Sequence, residues 1–126
     1  DSALGAYQEY YILMYYKNTG LNSGAGGIFE TEGVVMYHIN ASLYSEEYDG
    51  ETYYDIYNSN TDESDQYGTV DNLIELCKSA NDTYVHIAGY SSDSNLKDDS
   101  GNKIAYSFTV DSLNDSYATI TFTKNN

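Results

Sequence analysis

Two runs near the end of the chain alternate apolar with small or polar residues at a period of two. In residues 104–110, Ile104, Tyr106, Phe108 and Val110 are separated by Ala105, Ser107 and Thr109. In residues 117–123, Ala118, Ile120 and Phe122 alternate with Thr119, Thr121 and Thr123. Successive side chains of a strand point to opposite faces, so this pattern describes strands with one face covered and one wet. The six residues between the runs carry Asp, Asn and Ser, which favour turns. The chain is therefore expected to contain an antiparallel sheet that ends in a hairpin.

Further strands are expected upstream. Residues 34–39 read as one, and residues 84–89 as another, with Val85 and Ile87 alternating with His86 and Ala88. Asp49-Gly50 lies between two strand-like runs at 41–48 and 51–57, a strong hairpin signal. Residues 58–66 are polar and acidic and read as a loop. After them, Thr69 is placed to cap a short helix near 70–80 whose apolar face is Val70, Leu73, Ile74 and Cys77. Residues 20–33 hold five of the ten glycines, but not at the spacing of a phosphate-binding loop, and read as a flexible connector.

The first eighteen residues are expected to be helical. Ala3, Ala6, Tyr7, Tyr10, Tyr11, Met14 and Tyr15 recur near 3.6 residues, and Leu4, Ile12, Leu13 and Tyr16 widen the stripe. Lys17 and Gly20 supply stop signals. The expected fold is α+β. A long N-terminal helix over 1–18 packs on one face of an antiparallel meander within 34–126, joined by the short helix near 70–80, in a single domain 1–126. The greasy opening reads as the continuation of a removed hydrophobic segment.

Charge excludes several functions. Twenty acidic residues face five lysines and no arginine, for a formal net charge of −15. Nucleic-acid binding needs clustered cations to displace phosphate counterions, and none can be assembled here. An anionic membrane surface repels such a chain for the same reason, so membrane contact is expected only through the removed segment. The single Cys77 rules out an internal disulfide framework. The absence of proline, the sixteen tyrosines and the abundant Asn, Ser and Thr resemble bacterial surface and secreted proteins in composition.

No catalytic constellation stands out, and neither enzyme activity nor a cofactor is expected. His38 and His86 fall on expected strands beside apolar neighbours and read as structural; a His-plus-carboxylate metal site is the alternative, but no ligand spacing announces one and no metal is expected. Cys77 falls on an apolar stripe, where a thiol is usually inert packing rather than the nucleophile of a Cys–His pair. The acidic stretch 58–65 offers oxygen ligands, but an EF-hand loop counted from Asn58 needs Gly and Glu where Glu63 and Thr69 stand. The loop 93–102 fails in the same way. With twenty acids and no tryptophan platform, no pair of carboxylates is singled out for glycoside hydrolysis. Asn40-Ala-Ser42, Asn81-Asp-Thr83 and Asn114-Asp-Ser116 match the glycosylation acceptor, at a frequency this composition gives by chance.

The order of helix, glycine-rich connector and meander resembles the soluble part of a type IV pilin or pseudopilin. Two stretches carry the resemblance: Ser2-Ala-Leu-Gly-Ala-Tyr7 with Tyr15-Tyr-Lys-Asn-Thr-Gly20, similar to the end of a pilin spine helix, and the closing hairpin in 104–123. The proline that usually follows the helix-ending glycine and the C-terminal cystine of many Gram-negative pilins are missing, which points to a Gram-positive type. The resemblance implies a non-enzymatic subunit of an extracellular, cell-surface filament. It would assemble with its own copies through the helix, with Leu4, Tyr7, Tyr11 and Met14 tying head to spine. Tyrosines such as Tyr48, Tyr53 and Tyr57 would serve adhesion to host or surface ligands, and acidic loops at 46–49, 62–65 and 93–99 would face solvent and neighbouring subunits. The alternative reading is an acidic binding or inhibitor protein, of the immunity type, for a basic protein partner. An inhibitor of that kind concentrates its acids on one face.

Overall fold

A computed structural model of the chain describes residues 8–23, 29–56, 73–93 and 96–126. This part is nearly all sheet and contains no α-helix. Eight strands follow in order: β1 (Glu9–Tyr16), β2 (Gly33–Asn40), β3 (Leu43–Tyr48), β4 (Glu51–Ile56), β5 (Ile74–Cys77), β6 (Val85–His86), β7 (Tyr106–Leu113) and β8 (Ala118–Lys124). Among the described residues a single 3-10 turn is present, at Gly20–Asn22. β2 is the hub of one sheet and pairs with β1, β5 and β6, while β3–β4 and β7–β8 are two-stranded sheets.

The expected α+β architecture is corrected by the first strand. Residues 9–16 form β1, not the second half of a helix over 1–18; residues 1–7 lie outside the described residues. The reason is in the local sequence. Glu-Tyr-Tyr-Ile-Leu-Met-Tyr-Tyr is almost continuously apolar, and such a run fits a 3.6-residue and a two-residue period equally well. Its aromatic and β-branched content then favours the strand. Exposure alternates along β1, with Tyr10, Ile12 and Met14 on the open side and Glu9, Tyr11, Leu13 and Tyr15 half-buried. The second expected helix, near 70–80, is likewise overturned, because Ile74–Cys77 pairs as strand β5. Thr69 and Val70 lie outside the described residues.

Other expectations hold. β2 covers the strand expected at 34–39. Asp49 and Gly50 have φ of 54° and 79°, the pair of left-handed conformations that a two-residue hairpin turn requires. The β7–β8 hairpin pairs Phe108 with Phe122 and Val110 with Ile120, with an irregularity between Val110 and Ser112. Only two residues of the strand expected at 84–89 pair, and inside and outside are exchanged there. His86 is buried, whereas Ile87 is 56% exposed. Gly89, at φ 90°, turns the chain directly after this short pairing.

The chain falls into two units, residues 1–12 with 37–75 and residues 13–36 with 76–126; β1, β2 and β5 each supply residues to both. Among the described residues, every buried hydrophobic belongs to the second unit: Tyr16, Val34, Val35, Met36, Phe108 and Val110. Gly33 is required where β2 meets β6. A Cβ there would stand 2.6 Å from Val85 Cγ1 and 2.8 Å from the His86 carbonyl oxygen. Tyr16 is tied in by its hydroxyl, which donates to the Phe29 carbonyl at 3.3 Å and accepts from the Phe29 N–H at 3.4 Å. The segment after Gly89 lies along β7, with Val110 N–H donating to the Tyr90 carbonyl and Ser92 N–H to the Phe108 carbonyl.

Candidate functional site

In the first unit, the described buried residues are polar. Glu9 Oε1 lies 2.8 Å from His38 Nε2, and Tyr11 stacks on the His38 ring at 4.6 Å. Buried Asn40 accepts from both the N–H and the hydroxyl of Ser42, and its own N–H donates to the Leu73 carbonyl. His38 is thus held between a carboxylate and a tyrosine ring.

The most distinctive surface of this unit is the β3–β4 hairpin. Glu46 stands opposite Tyr53, and Tyr48 opposite Glu51. Residues two apart on a strand share a face, so these four side chains form a checkerboard of two rings and two carboxylates. The Tyr53 hydroxyl donates to Glu51 Oε2 at 3.2 Å. Tyr48 is 75% exposed and Tyr53 52%. The opposite face carries Tyr54, also more than half exposed, across from Ser45, with Glu47 across from Thr52.

Charge is divided just as unevenly. Twelve of the twenty acidic residues and none of the five lysines belong to the first unit, which thus carries −12 of the net −15. The second unit holds the remaining eight acids and all five lysines, for −3. Two of its cations are engaged locally. Lys17 Nζ donates to the Asp115 carbonyl at 3.0 Å and lies 3.5 Å from Glu32, and Lys78 Nζ sits 2.6 Å from Asp82 and over the Tyr84 ring. The hydrogen bond and charge of Asp82 raise the Lys78 pKa above the ordinary lysine value.

The second unit also has a cleft of about 760 Å³, walled by residues 29–31 and by Ser79 with residues 81–90. Phe29 and Tyr84 contribute rings with centroids 6.2 Å apart. His86 and Tyr90 stack at 4.1 Å, and Phe108 meets the imidazole edge-on at 6.5 Å. His86 is 1% exposed, and neither ring nitrogen has a hydrogen-bond partner among the described residues. Burial pushes its pKa below the ordinary histidine value. Burial also raises that of the Tyr90 phenol, with smaller contributions from Cys77 and Asp93.

The residues singled out for assembly are dispersed. Leu4 and Tyr7 lie outside the described residues. Tyr11 and Met14 share a helix face at a spacing of three but occupy opposite faces of a strand. Tyr11 is accordingly half-buried against His38, and Met14 is on the open side. Cys77 is half-buried on β5 rather than on a helix stripe. The acidic loop 58–65 lies outside the described residues, with Tyr57.

In the loop 93–102, the Asp98 carboxylate closes its own turn. It accepts from the Asn102 N–H and side-chain amide, and this lowers its pKa below the ordinary carboxylate value. Two of the glycosylation-like triplets are Asx turns, with the Asn40 and Asn114 side chains accepting from the N–H two residues on.

No protein-family model, curated protein or solved structure matches this chain. Among the described residues no helix is long and apolar enough to cross a membrane.

Proposed function

We propose that this chain is a non-enzymatic binding protein that engages a cationic protein partner through the acidic, tyrosine-bearing face of β3–β4. The observation that carries this reading is the coincidence of two asymmetries in one unit: nearly all of the net charge, and the exposed Glu46–Tyr53 and Tyr48–Glu51 pairs. A lysine or arginine docking there meets a carboxylate and a ring face together, and both attract a cation. Tyrosine also gives contact area at little cost in side-chain entropy. A field of this size speeds encounter with a basic partner and weakens as salt screens it.

A cell-surface or secreted setting suits such a module, and adhesion is the part of the filament reading that the hairpin supports. Assembly through an N-terminal helix is not carried forward, because residues 9–16 are strand.

The test is amide shift mapping with an arginine- and lysine-rich peptide at two salt concentrations. Saturable shifts centred on residues 46–53 that weaken with salt, and vanish in Tyr48→Ser/Tyr53→Ser with every charge retained, support the proposal. Shifts that the double substitution leaves unchanged reduce the interaction to unspecific charge attraction and reject it.

A further inference from the structure

We infer that the cleft of the second unit is a binding site for a neutral, polyhydroxylated ligand, a carbohydrate, distinct from the charged hairpin face. Its volume of about 760 Å³ lies in the range of ligand sites, roughly 300–1,000 Å³. The wall combines the two elements that sugar recognition needs. Phe29, Tyr84 and Tyr90 supply ring faces for the apolar C–H face of a pyranose. Ser79, Asn81 and Thr83 supply donors and acceptors at the same wall.

Charge narrows the ligand class. Glu30 and Asp82 line the cleft, so an anionic ligand is repelled. The nearest cation, Lys78, is already held by Asp82 at 2.6 Å and by the Tyr84 ring at 5.0 Å. The Ser79 and Thr83 hydroxyls bond each other at 2.8 Å, but a purely apolar ligand would leave the His86 ring nitrogens without partners.

The second, independent observation is His86. It lines the cleft and is almost wholly buried, and neither ring nitrogen has a hydrogen-bond partner among the described residues. A neutral imidazole carries one donor and one acceptor. A hydroxyl is both, so it can satisfy either nitrogen in either tautomer. Buried polar groups are rarely left unpaired, and a site that holds one is short of a partner.

The experiment is titration of the ¹⁵N-labelled chain with cellotetraose, maltotetraose and chitotetraose, with tetragalacturonate as the anionic control. The expected result is saturable shifts at residues 29–31 and 79–90 with at least one neutral tetrasaccharide, and none with the anionic one. Tyr84→Ala is expected to weaken that binding by about tenfold or more, equivalent to about 1.4 kcal/mol. Asn81→Ala, in an exposed turn, gives a weakening of the same sign should the tyrosine variant lose its fold. The inference is overturned by absence of saturable shifts with all three neutral sugars up to about 10 mM, a weaker interaction than the millimolar class. Equal response to the anionic control, or binding unchanged in Asn81→Ala and a folded Tyr84→Ala, overturns it as well. Because the hairpin face lies at residues 46–53, failure here leaves the peptide result untouched, and the reverse.

Discussion

Tyr90 lies flat on His86, ring centroids 4.1 Å apart and 16° from parallel, and this stack shields an imidazole that has no hydrogen-bond partner among the described residues. Burial holds the His86 pKa below its ordinary value of 6.5. The folded form therefore keeps His86 neutral at pH values where the unfolded chain already binds a proton. Stability is full above about pH 6.5 and falls as pH drops toward the folded pKa, by up to about 1.4 kcal/mol per pH unit in that window. His86→Phe, which keeps a ring against Tyr90, is expected to flatten this part of the curve. Urea midpoints of both proteins between pH 7.5 and 5 measure it, and parallel curves would remove His86 as the cause.

Gly33 is expected to tolerate no side chain. A methyl group at this position meets the His86 carbonyl oxygen at 2.8 Å as well as the Val85 side chain, and a backbone carbonyl held in the β2–β6 pairing cannot rotate away. Gly33→Ala should destabilise by about 1–3 kcal/mol, the usual cost of overpacking. Denaturant unfolding of the variant checks this. An effect below about 0.5 kcal/mol, the scale of an ordinary surface change, would show that β6 is free to shift.

Tyr16→Phe removes the hydroxyl that both donates to and accepts from the Phe29 backbone. Both bonds are long, at 3.3 and 3.4 Å, so the expected loss is near the lower end of the 1–3 kcal/mol range, about 1 kcal/mol. The edge-to-face packing of the two rings is retained in the variant. Faster amide exchange at Phe29 would accompany the loss, whereas exchange unchanged at Phe29 would contradict the assigned role.

The parts of the fold legible in the sequence are those where local chemistry leaves a single solution. Asp49-Gly50 can adopt two successive left-handed conformations, so the hairpin and its register followed. The threonine-punctuated run of β8 is too polar at alternate positions to be anything but a strand. β1 was not legible, because an unbroken apolar run carries no period of its own, and its aromatic content and its pairing with β2 together select strand over helix. For Ile74–Cys77 the apolar spacing of Val70, Leu73, Ile74 and Cys77 suits a helix, and only the pairing with β2 makes the segment a strand.

The candidate surfaces divide in the same way. The acidity of 46–49 was readable in the sequence and the exposure of Tyr48 and Tyr53 only through the family resemblance, and their union on one face depends on register. The cleft was not readable at all. It arises where residues 29–31 meet residues 79–90, some fifty positions apart, and nothing local marks His86 as buried and Ile87 as exposed.

The hairpin face yields the last prediction, which separates position from charge. Glu46→Lys/Glu51→Lys moves the net charge from −15 to −11 and places two cations beside Tyr48 and Tyr53. Reversal of two exposed acids of the second unit, Asp111→Lys/Asp115→Lys, produces the same net charge outside the hairpin. If the β3–β4 face is the docking surface, the first pair should abolish binding of the arginine- and lysine-rich peptide. The second should reduce only its rate of association, since remote charges act through the long-range field and contacts act on dissociation. Stopped-flow association and dissociation rates at low and physiological salt distinguish the two. Equal losses from both pairs, confined to association, would place the attraction in the overall charge of the chain and leave the tyrosine face without a part in it.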